Sequence, residues 1–263
     1  RVSRSYTIKG DVLTLLIGPE SDEFLVLLAH SDTVKVSESP VPIKIEGGRF
    51  YGNGCYDMKS GIALFYYALK AFQKFDLKAG KQIKIILSPD EETGSEASLP
   101  TLLQLCGRAS AVILPEPCCP GGGVKTRRKG VSALTAQLTG KAAHSGIEPE
   151  KGFDANRGLA KLILEIDNIV RELGDITFNP GKMSGGSAVN VVSPASVMEF
   201  ELRSYSNDLL KKALRKIEKI TGSDGVSCNI TPGITYPALE LDGKNKPLYE
   251  IAKKIAVALN YDL

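Results

Sequence analysis

The sequence predicts an α/β fold whose first half alternates strands with helices and whose second half surrounds two helices with strands. Three short apolar runs carry the first half: residues 24–30, 83–87 and 111–114. Each reads as a buried strand, 24–30 as a central parallel one covered on both faces, and each delivers a polar or acidic residue at or just past its end. Between the first two runs, Ile62, Phe65, Tyr66 and Leu69 recur at helical spacing across residues 60–74. In the second half, residues 132–139 alternate with period two, placing Leu134, Ala136 and Leu138 on one buried face.

Taken in order, residues 24–30 end in His30, followed by Ser31 and Asp32, and a loop broken by Pro40, Pro42, Gly47 and Gly48. The stretch Tyr51-Gly52-Asn53-Gly54-Cys55-Tyr56-Asp57 then turns tightly on its glycines into the helix at 60–74. The run 83–87 opens onto Ser88-Pro89-Asp90-Glu91-Glu92-Thr93-Gly94-Ser95. A short helix at 99–105 precedes the run 111–114, which leads to Pro115-Glu116-Pro117. Pro120-Gly121-Gly122-Gly123 reads as a linker. Beyond it, Leu159, Leu162, Ile163, Ile166, Val170 and Leu173 define one helix, and Leu210, Leu214 and Ile217 define a second at 208–220. Strands are expected at 188–192, at 197–203 with Met198, Phe200 and Leu202 inward, and near 227–231. That βαββαβ order describes a ferredoxin-like α+β domain inserted into the α/β domain. The layout is therefore 1–124 for the first domain, 125–234 for the insert, and 235–263, with a helix at 247–259, for the return.

Composition narrows the function classes. A chain of 263 residues with 43% apolar and 24% charged content has room for two domains and an ordinary globular make-up. A net charge of +3 does not argue for nucleic acid or an anionic membrane as partner. There is no run long enough to span a bilayer and no signal peptide, which points to the cytoplasm. The opening Arg1-Val2-Ser3-Arg4 does not look like a natural start, so a lost secretory signal stays open. Five cysteines, an odd number without framework spacing, read as reduced thiols.

The acidic loop at 88–95 is the centre of interest. It sits past the carboxyl end of a strand, where open α/β sheets build their sites. Glu91 and Glu92 are neighbours pointing in different directions, so one can hold a metal while the other reaches the water on it. His30, Asp57, Glu92 and Glu116 all fall at strand ends or in loops that follow them, an oxygen and nitrogen set suited to a metal pair bridged by a carboxylate. Taken singly, each residue has a plainer account. Asp-Glu-Glu is a solvated turn, His30 a satisfied buried histidine, and His144 an exposed loop residue. Arg203 is the partner of a nearby glutamate, and Arg127-Arg128-Lys129 a solvated basic turn.

Together, His30-Ser31-Asp32-Thr33-Val34, the segment from Gly52 to Gly61, Asp90-Glu91-Glu92-Thr93-Gly94-Ser95 and Glu116-Pro117 resemble the M20 metallopeptidases, whose members include glutamate carboxypeptidase, acetylornithine deacetylase and succinyl-diaminopimelate desuccinylase. The resemblance implies a zinc-peptidase-like mixed sheet flanked by helices, with the insert acting as lid and dimerisation domain. It implies that Asp57 bridges two zinc ions (cobalt or manganese are alternatives), that His30 and Glu116 complete one site and that Glu92 holds the other. Asp32 would fix the far nitrogen of His30, and Glu91 would be the general base. Lys141-Ala142-Ala143-His144-Ser145-Gly146 matches the lid motif, so His144 would stabilise the oxyanion. Asn190 and Arg203 would bind substrate, the latter through its carboxylate. The implied substrate is a small peptide or N-acyl amino acid, and the implied assembly a homodimer, with no nucleic acid or membrane partner. The activity would be zinc-dependent hydrolysis of an amide bond beside a free carboxylate. A deacylase of the same family, or an inactive dimeric scaffold, are the alternatives.

Two departures qualify this. The family's second zinc takes a histidine near the carboxyl end, whereas the 263 residues hold only His30 and His144. That site is therefore incomplete here. An Arg-Pro that helps clamp the substrate in carboxypeptidase-like relatives corresponds to Tyr236-Pro237.

Overall fold

The computed structural model describes residues 5–9, 11–34 and 41–261. Contacts divide the chain into two compact units, Arg1–Val124 with Asn260–Leu263, and Lys125–Leu259.

The first unit is built on a mixed sheet of order β1-β2-β6-β3-β7. Its strands are β1 (Ser5–Lys9), β2 (Val12–Ile17), β3 (Phe24–His30), β6 (Gln82–Ser88) and β7 (Ala111–Ile113). The apolar run of β3 lies at the heart of the sheet, parallel to both β6 and β7, while β1 and β2 add an antiparallel edge. Period-two alternation distributes the side chains. Ala29, Ile83 and Ile85 face Phe65 of α1 (Ser60–Lys74). Val26, Phe24 and Ile86 face the other way, toward Leu102 and Leu105 of α2 (Leu99–Cys106). Tyr66, which the spacing counts toward the buried stripe of α1, is 56% exposed, whereas Phe65 is buried. A small hairpin, β4 (Lys44–Glu46) with β5 (Arg49–Tyr51), precedes the Gly52–Gly61 segment.

The second unit is an antiparallel sheet of order β11-β12-β8-β10-β9. It comprises β8 (Gly130–Thr139), β9 (Ile176–Gly185), β10 (Ala195–Ser204), β11 (Gly222–Ser223) and β12 (Val226–Tyr236). With α3 (Ala155–Leu173) and α4 (Asn207–Ile217) the connectivity is βαββαβ, with the short β11 as an addition. Leu134, Ala136 and Leu138 of β8 and Met198, Phe200 and Leu202 of β10 pack against Leu162, Ile166, Leu210 and Ile217. Both helices are capped by side chains. Asp154 accepts from the N–H groups of Asn156 and Arg157, and Ser206 accepts from that of Leu209.

One strand lies elsewhere than the sequence indicates. Residues 188–192 form a turn with a single bridge, His144 to Val191, and the strand is β9 at Ile176–Gly185. Pro180-Gly181 disguises it, yet β9 is the edge of its sheet, where a proline costs no ladder hydrogen bond. The final strand is longer than 227–231 because an irregularity between Pro232 and Thr235 absorbs the break in pattern. Helix α5 (Lys246–Ala258) groups by contacts with the second unit, whereas the pattern at 247–259 is read from sequence as a return to the first.

Gly61, in the first turn of α1, allows the helix to approach the chain just before Glu116. A Cβ there would collide with the carbonyl oxygen and ring of Pro115. On an open helix Gly→Ala stabilises by about 1 kcal/mol. At Gly61 the sign is expected to reverse, and a thermal melt of Gly61→Ala above the parent Tm would contradict this packing.

Candidate metal centre

The carboxyl end of β3 places His30, 2% exposed, at the floor of a cluster of carboxylates. Its Nδ1 lies 3.0 Å from the backbone carbonyl of Asp32 and 3.3 Å from Asp32 Oδ1. A carbonyl only accepts, so Nδ1 carries the proton and donates. Neutral His30 therefore presents a bare Nε2 lone pair to Asp57 Oδ1 at 3.2 Å, Glu116 Oε1 at 3.6 Å and Glu91 Oε2 at 4.0 Å. A lone pair facing carboxylates is repulsive. Something positive, a proton on Nε2 or a cation, has to sit among them.

Each carboxylate has its own structural support. Asp57 comes from the irregular turn Cys55–Lys59, whose backbone leaves helical geometry at Asp57 and Met58. That turn begins at Gly54, with φ +64°, where a Cβ would collide with Thr33. Asn53 Nδ2 donates to Thr33 Oγ1 at 2.9 Å, and Lys59 Nζ to the carbonyl of Asn53 at 2.7 Å. The segments after β3 and before α1 are thus tied together. Met58, 1% exposed, accepts the backbone N–H of His30 on its sulfur at 3.1 Å. Glu91 and Glu92 open a single tight turn, Glu91–Thr93, after β6. The Asp32 carboxylate holds that turn, with Oδ1 accepting from the N–H of Glu91 at 3.2 Å and Oδ2 from the N–H of Glu92 at 2.9 Å. From behind, Asp90 Oδ2 accepts the N–H groups of Ala97 and Ser98, both at 3.0 Å.

The electrostatics follow from this crowding. Burial pushes the carboxyl of Glu91 up from its ordinary value, and the charges of Glu92, Asp57 and Asp32 add to it against His30. Glu116 is likewise raised, first by burial, then by Asp57 and Glu91, with His30 opposing. For His30, burial alone would lower the imidazole. The Asp32 carbonyl and the carboxylates of Glu116, Glu91 and Asp57 outweigh it and hold the value above normal. All three groups are thus pulled toward their protonated forms, the two carboxyls chiefly by burial and the imidazole by the acceptors around it.

A divalent cation answers the same need. Ligand atoms of His30, Asp57 and Glu92 lie within 4.8 Å of one another, and one nitrogen with carboxylate oxygens is a donor set that divalent metals take. The residues therefore fit a metal. The compact group contains Glu92, whereas the resemblance pairs Glu116 with His30 and Asp57 around one ion.

The other expected residues belong to the second unit. His144 and Asn190 come together through backbone pairing, Ser145 N–H donating to the carbonyl of Asn190 at 3.0 Å and Val192 N–H to that of Ala143 at 2.9 Å. His144 is exposed, and its Nδ1 accepts from Gly146 N–H at 3.2 Å. Arg203 lies on the outer face of β10, opposite Met198, Phe200 and Leu202, and is already engaged. Its Nε donates to Glu201 Oε1 at 2.7 Å and its Nη2 to Oε2 at 3.0 Å. Residue pattern pointed to none of the contribution of Met58, because a methionine after Asp57 reads as packing alone.

An α/β sheet with a histidine and carboxylates at its strand ends defines the class: a metal-binding α/β protein. The profile of peptidase family M20/M25/M40 matches residues 26–262, and the chain belongs to that family. It is 26% identical over 215 residues to carboxypeptidase G2 of Pseudomonas sp. (strain RS-16), covering 81% of this chain and 52% of the relative. It is 28% identical over 211 residues to acetylornithine deacetylase of Pasteurella multocida, covering 72% and 52%. The chain thus spans about half the length of these curated relatives. In fold it is similar to aminopeptidase PepT from Bacillus cereus, with a TM-score of 0.80 at 22% identity over 99% of this chain and 73% of that one. A tripeptidase from Staphylococcus aureus gives 0.78 at 23% identity with the same coverage. Among the described residues no helix is long and apolar enough to cross a membrane.

The raised value of His30 sets a pH dependence. A proton held above the ordinary value must leave Nε2 before a cation can take its place, so affinity rises with pH through and above the usual imidazole range. Calorimetric titration with Zn²⁺ or Mn²⁺ between about pH 6 and 8 is expected to show that climb. A flat profile would remove His30 Nε2 from the ligand set.

Proposed function

We propose that this protein is a zinc-dependent hydrolase of amide bonds beside a free carboxylate, an exopeptidase similar to carboxypeptidase G2. The single observation behind the reading is the convergence of His30, Glu91, Glu92 and Glu116, in or just after the parallel strands, with Asp57 from the turn before α1. His30, Asp57 and Glu116 would hold one zinc, and Asp57 with Glu92 would offer two ligands to a second. Cobalt or manganese would satisfy the same donors. Bound there, the metal lowers the pKa of water and polarises the scissile carbonyl.

The chain's own residues would do the rest. Asp32 holds His30 in the tautomer that leaves Nε2 available, and with the same carboxylate holds the turn that carries Glu91. Glu91 is the general base. Its raised value suits a group that takes a proton from the attacking water and returns it to the departing amine. In the second unit, which we read as a lid and dimerisation domain, His144 would donate to the developing oxyanion and Asn190 would hold the substrate. Arg203 would bind the substrate's carboxylate by exchanging it for Glu201, its present bidentate partner. A second reading, removal of an N-acyl group from an amino acid, is favoured by the likeness to acetylornithine deacetylase and to succinyl-diaminopimelate desuccinylase of Sulfurimonas denitrificans, 26% identical over 250 residues.

Amine release from dipeptides, C-terminal glutamate and aspartate conjugates, and N-acetyl and N-succinyl amino acids tests the proposal and separates its two forms. Turnover confined to the acylated amino acids would select the deacylase. Silence across the panel with zinc bound would reject both. Glu91→Gln is expected to keep its metal, measured by plasma emission, and to lose ~10²–10⁴-fold in kcat. Retention of more than about a tenth of kcat would exclude Glu91 as the base.

A further inference from the structure

We propose that Met58 is a positioning residue of the metal centre, its thioether sulfur standing in for a missing strand at His30. Strand β3 pairs with β6 along its whole length, to His30↔Ser88, and Ser31 N–H continues toward β6 by donating to the carbonyl of Ser88 at 2.8 Å. Backbone donors alternate in direction along a strand, so the N–H of His30 points to the opposite side, toward β7. There the ladder has run out, because β7 pairs with β3 only from Leu25↔Ala111 to Leu27↔Ile113. A buried backbone donor needs a partner, and the sulfur of Met58 supplies one at 3.1 Å.

Geometry makes this more than a filled gap. Met58 adjoins Asp57, so one contact ties the backbone of His30 to the backbone of the residue whose Oδ1 lies 3.2 Å from His30 Nε2. Met58 is held in turn: it is 1% exposed, packs with Ala29, Phe65 and Ile85, and its Cε lies 3.1 Å from where a Cβ on Gly61 would be. Its freedom to choose another rotamer is small, so beside the Asn53–Thr33 hydrogen bond it adds a second, buried tie between the two ligand-bearing segments. A leucine matches the volume and apolar character of methionine but accepts no hydrogen bond, so packing and acceptor can be separated by experiment.

The test uses amide hydrogen exchange and metal affinity on the same protein, resting on the metal reading only for the second. In metal-free wild type the His30 amide is expected to exchange as slowly as its neighbours in the middle of β3; an unprotected amide there would overturn the proposal outright. Met58→Leu is expected to expose that amide to exchange and to lower Zn²⁺ affinity ~10-fold, the lower end for loss of a group supporting a metal ligand. Leu69→Ala, which loosens the periphery of the same cluster one turn farther along α1, is expected to lower Tm while leaving the His30 amide protected and Zn²⁺ affinity within about twofold of wild type. Met58→Leu with wild-type affinity and a protected amide would assign Met58 to packing alone. If wild type takes up no metal, the metal reading fails while the exchange arm still decides the role of the sulfur.

Discussion

The contact between His30 Nδ1 and the backbone carbonyl of Asp32 governs the site. Because a carbonyl has no proton to give, that bond assigns the tautomer and leaves Nε2 bare toward Asp57, Glu91 and Glu116. The upward pull on His30 and the fitness of the place for a divalent cation follow from an imidazole lone pair facing acids, while burial first, and then their mutual repulsion, push Glu91 and Glu116 up against the opposing pull of His30. Asp32 then performs a second task. Its carboxylate collects the N–H groups of Glu91 and Glu92, so one residue orients both the histidine and the acidic turn.

The rest of the first unit supplies rigidity at those points. Parallel pairing of β3 with β6 brings His30 level with Ser88, which fixes where the acidic loop begins. Glycines at 54 and 61 allow the Asp57 segment to press against Thr33 and Pro115, and a side chain at either position would push the ligands apart. The centre is thus assembled from four separate stretches: three follow the parallel strands β3, β6 and β7, whose carboxyl ends lie on one side of the sheet, and the fourth is the turn that leads into α1.

Much of this was legible beforehand. The run at 24–30 and the helix at 60–74 stood out because burial on both faces, or on one helical stripe, demands a plain repeat, whereas 111–114, read as a buried run, supplies an edge strand of the described sheet with Ile113 49% and Leu114 51% exposed. Strand β9 was hidden because Pro180-Gly181 looks like a break, and only its position at a sheet edge makes the proline harmless. The segment 188–192 has the composition of a strand, yet it turns to pair with the loop after His144. For Arg203 the plain account and the functional one coexist: its face on β10 follows from alternation, while its bidentate grip on Glu201 depends on two side chains meeting on that face.

By itself, the sequence determined the α/β class, the candidate ligands His30, Asp57, Glu92 and Glu116, and the base candidate Glu91. The class and the candidate ligands depend on local pattern and on residue chemistry, which are written along the chain, while the choice of Glu91 over Glu92 as base is what the resemblance to the family implies. Tertiary structure alone decided which nitrogen of His30 carries its proton, that Glu92 joins His30 and Asp57 in the compact group, and that a methionine sulfur closes the backbone of the ligand strand. The first depends on how the chain turns just past β3, and the other two are distances between residues far apart in sequence, which exist only once the segments have come together.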